Sequence, residues 1–260
     1  MCMAIVDWKG IATSPEFDLF KTFFELNDVP CIVADPREAA FDGQTLSFEG
    51  MPVNFVYKRV ITSELLNKRD EVEPFLDAYR TKAACFANSF RSRLADNKVI
   101  LSLLTDNAYA DRFSKEEREI ASETIPWTRR VADTRTLVGD TEVDLLKYMR
   151  KHREELVMKP NTDYGGRNVY IGAEVDSGKW DEVIEKALKG DWVVQHKVTI
   201  PEEPFPVITD EGLSFENRKV NINPFALGGS YGGCVSRLST ESIINVRVGG
   251  GAVPLFVVEA

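Results

Sequence analysis

Lys159 closes a short apolar run, Leu156-Val157-Met158, and the polar loop after it carries the pair Gly165-Gly166 before a second run, Val169-Tyr170-Ile171. Two strands joined by such a loop make a hairpin whose tip can lie against a ligand. Glycine lets backbone N–H groups approach phosphate oxygens with no Cβ in the way. Lys159 sets a point charge at the root of the loop. Asp163 sets a carboxylate beside it, where a Mg²⁺ bridging phosphates would need an oxygen ligand. Pro160 is expected to stop the first strand, because proline has no ladder N–H. The lysine precedes the glycines, so this is not the phosphate loop Gly-x-x-x-x-Gly-Lys-Ser/Thr, nor is it the Gly-x-Gly-x-x-Gly of a dinucleotide fold. The same residues also describe an ordinary hairpin with an exposed loop, and the loop alone does not choose between the two.

Composition removes several other chemistries. The net charge of −9 argues against a nonspecific nucleic-acid binder. The cluster Lys147, Arg150, Lys151, Arg153 sits near the end of a predicted helix, where the macrodipole favours cations. His152 and His196 are the only histidines, which leaves almost no material for a histidine zinc site or a Ser-His-Asp triad. Cys2, Cys31, Cys85 and Cys234 are far apart; Cys31 and Cys85 lie in apolar runs and read as buried thiols. No run reaches membrane-spanning length and the N-terminus lacks a signal-peptide core, so the reading is a cytoplasmic protein without a membrane partner.

The elements that must position these residues fall into two patterns. Residues 3–6 and 29–33 read as strands around a helix at 15–27, with Ser14 as N-cap and Phe17, Phe20, Phe23, Phe24 and Leu26 as its stripe. Strand, helix, strand with short connections implies a parallel sheet. Strands at 46–48 and 53–57 follow, around a turn at 50–52. The second ends in Lys58-Arg59, either a ligand-facing pair at a strand's C-terminal end or two solvated cations. Helices at 63–66 and 73–83 and a strand at 84–87 complete an α/β domain over residues 1–90. A long amphipathic helix over 91–104 opens a helical connection running to 138, with a charged helix or loop at 111–124. Residues 139–260 read as a mostly antiparallel sheet with two helices, at 140–152 and 180–188. Strands are expected at 192–198, 215–225, 232–238, 243–247 and 253–258. The fold class is therefore α/β (α+β), without internal repeats.

Several phrases together resemble the ATP-grasp fold, in its circularly permuted branch of glutathione synthetase and glutathionylspermidine synthase-like carboxylate–amine ligases. They are Lys98, the hairpin from Lys159 to Asn168, Gln195-His196-Lys197-Val198, Arg237 and the glycine loop 249–251. Val56-Tyr57-Lys58-Arg59-Val60, Asn97-Lys98 followed by Leu103-Leu104-Thr105-Asp106, and Gly249-Gly250-Gly251-Ala252-Val253-Pro254 are also similar to that branch. The likeness runs from Met3 to the C-terminus. It implies ATP and Mg²⁺ as cofactors. Lys98 and Lys159 would reach the phosphates under a lid formed by Gly165 and Gly166, with Asn168 adding a polar contact. Residues Gln195, His196, Lys197 and Val198 would be the adenine hinge. Asp163 and Asn221 would hold the metal, and Arg237 would hold an acyl phosphate or a substrate carboxylate. The implied reaction joins a small-molecule or peptide carboxylate to an amine through an acyl phosphate, with Lys159 and Arg237 as catalytic groups.

Departures from that pattern are specific. ATP-grasp enzymes usually supply a Glu-x-Asn pair for metals, and here it occurs only as Glu25-Leu26-Asn27, on the phenylalanine-striped helix. Asn221 stands where a second acidic ligand is expected. The chain opens directly in the substrate-type domain, which reads as a fragment or a shortened member of a longer protein. The alternative is a nucleotide-binding module that no longer catalyses and works with a partner.

Overall fold

The computed structural model describes residues 1–244 and 250–257. The chain divides into two units, 1–96 and 97–260.

In the first unit, β1 (Met3–Val6) pairs in parallel with β2 (Cys31–Ala34) across α1 (Ser14–Leu26). The sheet is buried on both faces, as a parallel sheet must be. Met3 and Ile5 pack with Phe17 on one side; Ala4 and Val6 face the larger core on the other. Next come β3 (Ala39–Phe41), β4 (Leu46–Phe48) and β5 (Met51–Val53), an antiparallel sheet of their own. The expected turn at 50–52 is therefore partly strand: Pro52 lies in β5, which has a partner on one side only and needs no proline N–H there. Then follow β6 (Phe55–Lys58), α2 (Thr62–Asn67), α3 (Glu73–Arg80), β7 (Cys85–Ala87) and α4 (Ser92–Ala95). The parallel strand order is β2-β1-β6-β7.

Three expectations change here. The helix begins at Ser14 with Thr13 as N-cap, and its buried stripe is Phe17, Phe20 and Phe24. Phe23 and Leu26 fall off that stripe and are exposed. Cys85 is exposed because β7 is an edge strand, whereas Cys31 is buried and its thiol is pushed up to about 11 by burial. Lys58 is not a solvated cation. Only 5% of it is exposed, and its ammonium donates to the Val60 carbonyl at 3.1 Å and to Thr62 Oγ1 at 3.2 Å.

Asp35, at the end of β2, carries the largest acid-sensitive interaction of this unit. Burial alone would raise its pKa. The Arg37 fork at 2.8 and 2.7 Å and the N–H groups of Lys9 and Arg37 outweigh burial and hold it at about 2. The ordinary value is about 3.9, and each unit is worth about 1.4 kcal/mol. A lowered carboxylate stabilises fully above its unfolded pKa and loses that contribution as pH falls through the folded one. Urea unfolding should therefore lose about 2.5 kcal/mol between about pH 4 and pH 2 from this group, and Asp35→Asn should lack that part of the acid slope. An unchanged slope in the variant would contradict the assignment.

The second unit opens with α5 (Val99–Thr105) and α6 (Lys115–Thr124). The single helix expected over 91–104 is broken at 96–98, because Asn161 captures the Lys98 and Val99 N–H groups and starts a new helix. Residues expected to be irregular supply β8 (Thr128–Arg130) and β9 (Arg135–Val138), and residues expected to open the next helix instead form β10 (Thr141–Asp144), which pairs with β9 in a hairpin joined over Gly139 with φ +57°. The next helix, α7 (Leu145–Lys151), starts later than expected, with Asp144 as N-cap accepting from the Lys147 N–H at 2.9 Å. It is followed by β11 (Leu156–Pro160), β12 (Tyr170–Ile171), α8 (Ser177–Leu188) and β13 (Trp192–His196). These strands form one antiparallel sheet in the order β12-β11-β13-β8. Pro160 pairs with Trp192 as the last residue of β11.

Asp176 caps α8, and Trp180, Val183, Ile184 and Ala187 bury one face at i, i+3, i+4, i+7 spacing. That face meets Leu156, Met158 and Val194 of the sheet. A second antiparallel sheet comprises β14 (Glu202–Thr209), β15 (Gly212–Leu227), β16 (Ser230–Ser239) and β17 (Gly251–Val253). Pro204 and Pro206 sit in β14, an edge strand, where the missing N–H costs no ladder bond. The strand expected at 243–247 lies partly outside the described residues, as does Gly249. Among the described residues the last strand is β17; Val258, the end of the strand expected at 253–258, lies outside them.

Candidate functional site

Alternation along β11 decides which residues can do chemistry. Leu156 and Met158 enter the core, so Val157 and Lys159 point to the other face. The register Val157↔Gln195 and Gln195↔Thr128 puts Gln195 and Thr128 on that same face. Val157↔Ile171 adds Ile171. On β15 and β16, Lys219, Asn221 and Arg237 share a face, since Asn221 is directly opposite Arg237.

These faces bound a cavity of about 550 Å³. Lys159, Gly165, Gly166, Lys197, Val198 and Arg237, all singled out from the sequence, line it. So do Lys219, Glu174, Val157, Ile171, Ile200, Ile243 and Ile244. Val169, Thr199 and Ser242 complete the wall. The glycine loop closes on Ile243. A Cβ on Gly166 would stand 2.6 Å from Ile243 Cγ2, and its φ of +77° already favours glycine.

Lys159 is the best-defined charge. Its Nζ donates to Gln195 Oε1 at 2.8 Å, and Gln195 Nε2 donates to Thr128 Oγ1 at 2.8 Å. Thr128 Oγ1 donates in turn to the Pro126 carbonyl at 2.8 Å. Burial first, and the neighbouring Lys98 cation second, lower the Lys159 pKa. Lys98 donates to the Asn161 carbonyl at 3.3 Å and the Asp163 carbonyl at 2.6 Å. The two lysines are thus electrostatic neighbours from separate elements, although Lys98 does not line the cavity.

Other predicted residues stand elsewhere. His196 is on the core face of β13. It stacks on Trp127 at 4.8 Å and its Nε2 shares a hydrogen bond with Tyr148 Oη at 2.9 Å; burial lowers its pKa. Its side chain cannot serve the cavity, because alternation turns it away from Lys159. Gln195 is buried and acts on Lys159. The Lys197 N–H is already donated to the Glu155 carbonyl at 2.8 Å.

The donors expected to hold a metal fit poorly. Asp163 Oδ2 accepts from Asn168 Nδ2 at 2.8 Å, and Asn221 Oδ1 accepts from Asn223 Nδ2 at 2.7 Å. Neither lines the cavity, and Asn221 is paired across the strands with the cationic Arg237. Among the described residues, no group of three His, Cys, Asp or Glu side chains could hold a metal ion. The Gly249 end of the second glycine loop lies outside the described residues.

Sequence reasoning missed Lys219, Glu174, Asn161 and Thr128. Lys219 carried a readable signal: it is two residues before Asn221 on a predicted strand and therefore shares its face. Asn161 and Thr128 carried none, since their roles depend on long-range hydrogen bonds.

No protein-family profile matches this chain, and neither does the sequence of any curated protein. Solved structures do resemble it. Macrocyclase MdnC from Microcystis aeruginosa MRC, bound with precursor peptide MdnA, matches over 99% of this chain and 79% of its own, with TM-score 0.51 and 13% identity. D-cycloserine synthetase DcsG matches over 98% and 76%, with TM-score 0.49 and 13% identity. ATP-grasp ligase PsnB, complexed with minimal precursor, matches over 91% and 75%, with TM-score 0.48 and 12% identity. At 13% identity the likeness to MdnC is one of fold: the chain is a mixed α/β protein, with a parallel and several antiparallel sheets, whose fold is similar to that of MdnC.

Proposed function

We propose that the cavity of the second unit binds ATP and that the protein is an ATP-dependent carboxylate–amine ligase. The observation that carries this reading is the convergence of Lys159, Lys197, Lys219 and Arg237 with the Gly165-Gly166 loop on one cavity. Its volume falls in the range of about 300–1,000 Å³ common for small-molecule sites, and its apolar wall of Val157, Ile171, Val198 and Ile200 suits a planar base.

In this reading Lys159 holds the phosphate chain, and Lys98 adds long-range positive potential. The backbone of the glycine loop lies over the phosphates. Residues 195–198 flank the base through Val198 and main-chain groups. The γ-phosphoryl group passes to a carboxylate oxygen and ADP leaves. An amine nitrogen then attacks the acyl carbon, phosphate departs, and the amine proton goes to solvent. Arg237, a planar fork of donors, holds the acyl phosphate or the substrate carboxylate. Because the donors expected for Mg²⁺ do not fit, no step is assigned to it. The substrates are a small-molecule or peptide carboxylate and an amine. The glutathione synthetase-like, circularly permuted subtype is part of the proposal and rests on sequence resemblance. Among the described residues no helix is long and apolar enough to cross a membrane; a reducing cytoplasmic setting is proposed with the free state of all four cysteines in its support.

The engagement of Asp163 with Asn168, and of Asn221 with Asn223, favours a second reading: a nucleotide-binding module without ligase activity. Incubation with ATP, a set of amino acids and short peptides, and an ADP-release assay separates the two. ADP formation that requires both a carboxylate and an amine supports the ligase. Nucleotide binding without acceptor-dependent ADP leaves the module.

A further inference from the structure

We infer that the bound nucleotide has its phosphate charge balanced by Lys159, Lys197, Lys219 and Arg237, and not by a divalent metal. The inference rests on the nucleotide reading above and holds equally for a ligase or a binding module. Among the described residues four cationic side chains line the cavity, and Glu174 is the one carboxylate beside them. Lys159 donates to a neutral oxygen, Gln195 Oε1, so no carboxylate neutralises its charge. Among the described residues Lys197 and Arg237 make no ion pair and no side-chain hydrogen bond. Lys219 donates to the Thr240 carbonyl at 3.0 Å and stands 3.7 Å from the Glu202 carboxylate, a partial neutralisation.

A divalent cation meets the opposite circumstances. It needs several oxygen ligands, with carboxylates foremost. Asn221 offers a neutral carbonyl oxygen already shared with Asn223, on the strand position paired with the cationic Arg237. Asp163 is turned to Asn168. A metal brought in on the phosphates would lie among fixed cations and would cancel the charge that those cations read.

The test is calorimetric titration of the full chain with the non-hydrolysable analogue AMP-PNP, once in EDTA and once in Mg²⁺. The expected result is binding in EDTA that Mg²⁺ leaves unchanged or weakens. Lys219→Gln and Arg237→Ala should each weaken binding in EDTA by about tenfold, a loss of one charge-assisted contact, with circular dichroism confirming that the variants are folded. Clear tightening by Mg²⁺ would overturn the inference and leave the nucleotide reading standing, as would unchanged affinity in both variants. No binding in either buffer would overturn both.

Discussion

Lys159→Ala should weaken binding of an ATP analogue by about 1.5–3 kcal/mol, the range for hydrogen bonds to a charged group, or about 10- to 150-fold. The side chain sits where that loss is large. It is part-buried, lines the cavity and donates to the neutral Gln195 Oε1, so its charge is not neutralised by a carboxylate inside the protein. The fold should survive, because the lysine side chain lines the cavity and its removal opens no part of the hydrophobic core. Proton linkage adds a second signature. Burial, and then Lys98, lower the Lys159 pKa below the ordinary lysine value of about 10.4. A phosphate favours the charged form, so binding needs that proton. Affinity should therefore fall as pH rises through the lowered pKa, and binding near it should take up a proton, visible as a buffer-dependent heat. Lys159→Arg keeps its charge at alkaline pH and should flatten the profile while losing the Gln195 geometry. Equal affinity for wild type and Lys159→Ala would remove this residue from the site.

How much of this was legible beforehand follows from distance along the chain. Alternation in Leu156-Val157-Met158-Lys159 is a local signal, and it placed the lysine on the face opposite the core. The glycine pair, Lys197, Val198 and Arg237 were likewise readable from strand ends and loops, and all line one cavity. His196 shows how the same rule cuts the other way. A strand end was read as a unit, although consecutive residues point to opposite faces and only every second one can meet a ligand. The helix expected over 91–104 illustrates a different limit. Its apolar periodicity is real, yet the chain turns at 96–98 because the side chain of Asn161 takes the Val99 N–H. No local preference of Asp96, Asn97 or Lys98 contains that information. The hairpin at 135–144 was hidden for the same reason: Val143 fits a helical stripe, and the Gly139-Asp140 turn wins once Val138 and Thr141 pair.

Asn161→Ala should be the more destructive substitution for the fold, costing about 1–3 kcal/mol in urea unfolding, because the part-buried Val99 N–H loses its acceptor, whereas the half-exposed Asp191 carboxylate can turn to water. Asn161 is only 4% exposed. Its Oδ1 accepts from the Val99 N–H at 2.9 Å, and its Nδ2 donates to Asp191 Oδ2 at 2.5 Å. Its main chain is engaged as well: the N–H donates to the Asp191 carbonyl, and the carbonyl accepts from the Lys98 N–H and Nζ. One residue thus joins the end of β11, which carries Lys159, to the start of α5, which carries Lys98. Alanine keeps the main-chain bonds and removes both side-chain bonds, so the helix start loosens and Lys98 drifts from its place beside Lys159. Nucleotide affinity should fall together with stability. Asn161→Asp separates the two contributions. It can still accept from the Val99 N–H, but it sets a second carboxylate against Asp191. It should be more damaging at neutral pH than near pH 4, where protonation relieves the repulsion. A stability change below about 0.5 kcal/mol for Asn161→Ala, the level of an ordinary surface substitution, would mean that Lys98 and Lys159 are brought together by something other than this side chain.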